Sequence, residues 1–135
     1  MNALFLESSA VLAIILHEAK RDEALSRINA AGTRMASRLL KIECERALIR
    51  YSLDRPDMAA RLPEMRHELA RLWPKVNFVE MTRSICDSAG RICPNSRLRT
   101  LDAIHLATYF QAKEASPEIE MLSYDACIRD ELKSH

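Results

Sequence analysis

Glycine, aromatic residues, paired cysteines and long apolar runs are all scarce in this chain, and each scarcity removes a class of protein. Two glycines and three phenylalanines among 135 residues suit an all-strand sandwich poorly, whereas the many Ala, Leu, Arg and Glu favour helix with a few short strands. The charges nearly cancel, 20 Lys and Arg against 19 Asp and Glu for a net +1. There is no polybasic tail or acidic arm, so any nucleic-acid contact has to come from a local patch. The first apolar run, Ala10 to Leu16, is too short to span a bilayer and follows Glu7 rather than a basic leader. That argues against a signal peptide or membrane helix and for a cytoplasmic protein. Cys44, Cys86, Cys93 and Cys127 make no CxxC pair and no zinc spacing with His17, His67, His105 or His135, so reduced, mostly core thiols are expected. With no repeat, low-complexity tract or Gly/Ser/Pro-rich linker, the reading is one domain over residues 1–135.

What the chain does have is the stretch Arg99 to Phe110, RTLDAIHLATYF. Its apolar residues leave no wet face, so as a helix it belongs inside the fold. Asp102, His105 and Thr108 follow one another at spacing three, along one narrow line of that helix, with the acid in the first turn. A carboxylate there is either complementing the helix dipole or part of a site. His105 reads as a core residue or one supporting a site from behind, not as a proton carrier.

In chain order, Ala3 to Glu7 reads as a short buried strand ending on an acid, with Ser8 and Ser9 as caps for a helix to about His17. Lys20 to Ala31 keeps helical spacing and Gly32 supplies the stop. Thr33 to Ala36 suits a short strand, and Ser37 a cap for a helix from Arg38 to Leu53. On that helix Glu43 shares a face with Leu39, Leu40, Ala47 and Tyr51, so it projects from the stripe that faces the core. An unpaired carboxylate there would cost several kcal/mol, so it needs a metal or an arginine such as Arg46 or Arg50. Pro56 or Asp57 opens a second helix that runs to about Trp73, completing a helical hairpin with Arg55, Arg61, Arg66 and Arg71 on its outer faces. Val76 to Glu80 is expected as a strand and Thr82 to Gly90 as a helix. Arg91 to Arg99 is a basic loop, whose Arg97 and Arg99 stand ready to position phosphates beside Asp102. Glu118 to Ser123 makes a last strand that stops at Tyr124-Asp125, before a helix from Ala126 to Lys133.

Short strands alternating with helices predict an α/β fold whose parallel sheet gathers strand ends and helix starts along one edge. Glu7 and Asp125 follow strands, Asp102 opens a buried helix and Glu43 faces inward from another, so all four can meet. Four such charges in one pocket repel and desolvate one another unless a cation neutralises them, and oxygen-only ligands select hard ions such as Mg²⁺ or Mn²⁺. The chemistry that follows is metal-assisted phosphodiester hydrolysis. A receiver-like phosphotransfer domain is set aside, because the first strand lacks an adjacent acidic pair.

These same segments resemble PIN-domain ribonucleases of the VapC toxin class. LFLESSAVL resembles the opening strand and helix, usually written LDTSAL; SRLLKIECERAL resembles the second motif; RTLDAIHLAT is the most specific match; and LSYDACI resembles the closing strand and its acid. The resemblance implies a PIN-like three-layer α/β/α domain with a short, mainly parallel sheet and a protruding helical hairpin. It also implies a Mg²⁺-dependent (or Mn²⁺-dependent) endoribonuclease acting on structured RNA such as tRNA or rRNA, usually a homodimer, restrained by a cognate antitoxin. Glu7, Glu43, Asp102 and Asp125 then match the acids of the site, with Glu7, Asp102 and Asp125 on the metal and Ser9 as the supporting hydroxyl. The antitoxin would lie against the Leu12 to Leu16 and Leu39 to Leu48 helices. Glu7 departs from the family, which normally has Asp there, and Mg²⁺ tolerates little error from about 2.0–2.1 Å. A second reading therefore stands beside the first: a weakened or inactive PIN-like module that binds RNA or protein.

Overall fold

Strand β1 (Ala3–Leu6) carries no polar residue because both of its faces are covered. In the computed structural model, which describes residues 2–134, Leu4 and Leu6 point into one core with Val11, Ile14, Leu40, Leu48, Met65 and Leu69. Ala3 and Phe5 point into another with Tyr109, Ala112 and Ile119. Alternate side chains thus enter opposite layers, as the two-residue period of a strand requires. Beside β1 lie β2 (Thr33–Ser37) and β4 (Glu120–Leu122), and β3 (Asn77–Val79) pairs with β2. The sheet is parallel throughout, in the order β3-β2-β1-β4.

Each crossover is helical. Helices α1 (Ser8–Ile15) and α2 (Arg21–Ala30) join β1 to β2; α3 (Leu39–Asp54) and α4 (Leu62–Leu72) join β2 to β3 as a helical hairpin. Helices α5 (Arg83–Ala89) and α6 (Thr100–Ala115) lead to β4, and α7 (Ala126–Lys133) follows it. The chain steps outward from β1 through β2 to β3, then returns to place β4 on the far side of β1. That reversal opens a crevice at the carboxyl ends of β1 and β4, where parallel α/β sheets keep their sites. No helix among the described residues is long and apolar enough to cross a membrane.

Several local expectations give way to competing chemistry. Ser8 and Ser9 do not cap α1; the cap position is Glu7, and both hydroxyls turn toward its carboxylate instead. Helix α2 ends at an extended Ala31 without a left-handed glycine, and the Gly32 amide donates to the Asn2 carbonyl. The second arm of the hairpin is divided, with a 3₁₀ turn over Pro56–Arg61 before α4. Pro63 lies in the first turn of α4, where its ring blocks continuation from the preceding turn. Helix α1 stops two residues short of His17, which takes a left-handed φ of 54°. Only Cys44 is fully buried; Cys86 and Cys127 are exposed and Cys93 is half-buried, so the thiols are not mostly core. His135 lies outside the described residues.

The Phe5 ring meets Tyr109 edge-on at 5.5 Å between centroids, and the Tyr109 hydroxyl donates to the Ile119 carbonyl at 3.0 Å. Phe5→Ala is therefore expected to lower unfolding free energy by about 3–5 kcal/mol. Ile42→Ala, at a side chain 57% exposed, should stay within about 0.5 kcal/mol of the native chain. Urea unfolding followed by circular dichroism measures both.

Candidate active site

The crevice is organised around a buried charge. Glu7 follows β1 at only 4% exposure. Its carboxylate accepts three hydroxyl hydrogen bonds, from Ser8 at 2.8 Å, Ser9 at 2.5 Å and Ser123 at 2.6 Å. Such short O–H···O⁻ contacts are charge-assisted and offset much of the cost of leaving water. Two of the hydroxyls are themselves anchored: Ser9 Oγ accepts the Tyr124 amide at 2.8 Å and Ser123 Oγ the Asp125 amide at 3.1 Å. The end of β1 is thereby tied to the turn that follows β4.

That turn presents Asp125. Its Oδ1 accepts the Ile128 amide at 3.0 Å, capping α7, so the backbone fixes the carboxylate in one orientation. Asp102 occupies the first turn of α6. Glu43 reaches over from α3, with its side chain 21% exposed. Glu43, Asp102 and Asp125 line one cavity of about 640 Å³ together with Arg97, Arg99 and Cys127. Glu7 is not on its wall, but its charge is felt there. The Asp102 carboxyl is pushed above the usual carboxylate range, first by burial, then by the charges of Asp125, Glu7 and Glu43, with His105 opposing. Four acids from four separate segments thus act on one place.

Glu43 finds neither Arg46 nor Arg50 as its partner. The imidazole of His105, fully buried one turn further along α6, brings Nε2 against Glu43 Oε1. Thr108, third on the same line, donates to the Ile104 carbonyl at 2.6 Å, so this face of α6 reaches the site only through Asp102 and His105. Arg97 and Arg99 share the cavity with the acids, and among the described residues neither is held in an ion pair. Arg55 and Arg61 of the hairpin face Asp57 and Glu64. Sequence reasoning overlooked Ser123 and the pairing of His105 with Glu43. A serine two residues ahead of Asp125 was visible, but nothing local showed that it would face Glu7.

The donor set suits a hard divalent cation: its acids are all oxygen donors and, as the raised Asp102 pKa shows, mutually repelling. Among the described residues no three His, Cys, Asp or Glu side chains could hold one ion between them. A Mg²⁺-sized ion does not need three, because it commonly takes one or two carboxylates and completes its shell with water and phosphate oxygens.

Comparison with known proteins comes to the same place. The family model for the PIN domain matches residues 4–126. Ribonuclease VapC46 of Mycobacterium tuberculosis is 33% identical over 135 residues, which take in 99% of this chain and 93% of that protein.

Because its pKa is raised, Asp102 binds its proton more tightly folded than unfolded. Ionising it therefore works against the fold, without penalty below about pH 4 and in full above the raised value. With divalent ions chelated, Asp102→Asn should melt at a higher temperature than the native chain at pH 7, and the difference should vanish near pH 3. Added Mn²⁺ should raise the native melting temperature and leave that of Asp102→Asn nearly unmoved.

Proposed function

The chain belongs to the PIN-domain family, and from that premise we propose that it is a VapC-type endoribonuclease. Its substrate is structured RNA such as tRNA or rRNA, its ion Mg²⁺ or Mn²⁺, and its restraint a cognate antitoxin. The observation that supports this reading is the single cavity in which Glu43, Asp102 and Asp125 meet Arg97 and Arg99. Acids of that number favour a divalent cation, and arginines at its rim suit phosphates.

In this mechanism Asp102 and Asp125 would hold the ion; Glu7, which the sequence pattern put on the metal with them, lies behind the cavity wall and would add negative potential there. When bound, the ion supplies Lewis-acid stabilisation of charge on the scissile phosphate and makes water a better nucleophile. Arg97 and Arg99 fix the phosphates on either side of the scissile bond. Glu43 Oε2 accepts the proton that the attacking water releases as the new P–O bond forms. The ribose oxygen leaves with the electron pair of the broken P–O bond and is protonated from solvent. The Glu43 side chain is 21% exposed, which leaves it within reach of such a water.

We seat the antitoxin on a groove between α1 and α3, a reading supported by its lining of Leu12, Leu39, Ile42, Ala47 and Leu101 with Arg46 and Arg50 beside them. Ile42 and Leu101 are 57% and 43% exposed, which suits the apolar face of a short amphipathic segment whose acids meet the two arginines. Glu43 and Leu101 line both this groove and the acidic cavity. An occupant of the groove therefore abuts the site and can close it. The working toxin is read as a homodimer, to be checked by sedimentation.

One observation favours the second reading, a weakened PIN-like module. Both Glu7 oxygens are engaged by serine hydroxyls, away from the cavity wall. Cleavage of tRNA and rRNA with Mg²⁺ or Mn²⁺ separates the two. The native chain should cut, Asp102→Asn should lower kcat/KM by more than about a hundredfold, and Glu7→Asp should stay within a few-fold. Cleavage by Glu7→Asp alone would establish the weakened module, and none in any version would remove these catalytic roles. Ile42→Glu should abolish co-purification of the antitoxin while leaving cleavage intact; unchanged co-purification would displace the partner from this groove.

A further inference from the structure

His105 lies on α6 one turn beyond Asp102, fully buried, yet it is an ionisable side chain with no place in the chemistry above. Its two ring nitrogens have unlike surroundings. Nε2 meets Glu43 Oε1, whereas Nδ1 is buried with no hydrogen-bond partner among the described residues. A buried nitrogen left bare is costly, and the ring accepts that cost in the orientation that aims Nε2 at Glu43. Among the described residues no lysine or arginine pairs with Glu43, although Arg46 and Arg50 follow it on the same helix. Glu43 stands at the wall of a cavity that Asp102 and Asp125 already make negative. Without a donor behind it, its carboxylate would be driven outward to solvent by the other two.

We infer that His105 is a positioning residue: its Nε2–H clamps Oε1 of Glu43 so that Oε2 stays turned into the cavity. This rests on the ribonuclease reading and deepens it, since it assigns the buried line of α6 two tasks. Asp102 faces the cavity from the first turn, and His105, from the second, holds the acid of a different helix in place. The arrangement parallels the outer partners of metal and catalytic ligands, whose removal commonly lowers activity 10- to 100-fold. Thr108, bonded back to its own helix, takes no part.

The test is a double-mutant cycle on Mg²⁺-dependent RNA cleavage, with folding followed alongside. His105→Leu removes the donor, His105→Gln returns an N–H near the position of Nε2, and Glu43→Ala removes the group acted upon. His105→Leu should lower kcat about 10- to 100-fold with little change in KM. His105→Gln should recover most of the rate, and His105→Leu should cost nothing further in the Glu43→Ala background. Losses that multiply in the double variant, or no rescue by Gln in a folded protein, would overturn the clamp. Should His105→Leu fail to fold, His105→Gln and Glu43→Ala carry the test through a second readout, the ¹⁵N spectrum of histidine-labelled protein. There His105 should show a protonated Nε2 whose signal moves in Glu43→Ala and not in His105-independent Arg97→Ala. An unmoved signal overturns the contact. If the native chain cuts no RNA, the ribonuclease reading falls on its own, and the spectrum still decides whether His105 holds Glu43.

Discussion

A charge taken out of water must be answered where it lies, and in this protein the answer to Glu7 joins the two halves of the sheet edge. Three serine hydroxyls donate to its carboxylate, and two of them are aligned by the amides of Tyr124 and Asp125. The hydroxyls come from both sides of the crevice, Ser8 and Ser9 from α1 and Ser123 from the end of β4. Since β1 and β4 are far apart in the chain and adjacent in the sheet, this network sets the path of the turn that delivers Asp125. An apolar residue at position 7 would leave three hydroxyls without their acceptor in a buried place, where lost hydrogen bonds are costly.

Electrostatic conflict is the second constraint. Glu7, Glu43 and Asp125 all raise the pKa of Asp102, so the site works against the stability of the chain that builds it. Such conflict is expected where a fold is arranged for a bound cation rather than for itself. The large apolar investment around β1, with a core on each face, is what makes the repulsion tolerable. The arginines of the cavity do not relieve it, because neither Arg97 nor Arg99 is held in an ion pair among the described residues.

Placement follows from topology. In a parallel sheet every strand ends at the same edge, and a helix that packs antiparallel to the strand it leads into begins there. Glu7 and Asp125 follow strands, Asp102 opens the helix that precedes β4, and Glu43 lies in the second turn of the helix that follows β2. None of these positions needs a special loop. The site is a consequence of strand direction plus the choice of acid at or near the ends of four elements, and the groove beside it shares Glu43 and Leu101 with the cavity.

Element types and most of their order were readable from periodicity, because apolar spacing reports which face is buried before any contact is known. The acids were readable too, as carboxylates placed where burial penalises them, and the segment RTLDAIHLAT identified the family by resemblance. Their partners were not. Glu43 suggested an arginine or a metal, and the fold supplied His105 from 62 positions away; Ser8 and Ser9 suggested caps, and the fold turned them onto Glu7. Local sequence specifies propensity and the cost of burying a group. Which donor meets that cost depends on crossovers that bring distant segments within about 3 Å, and only the assembled tertiary structure decides it.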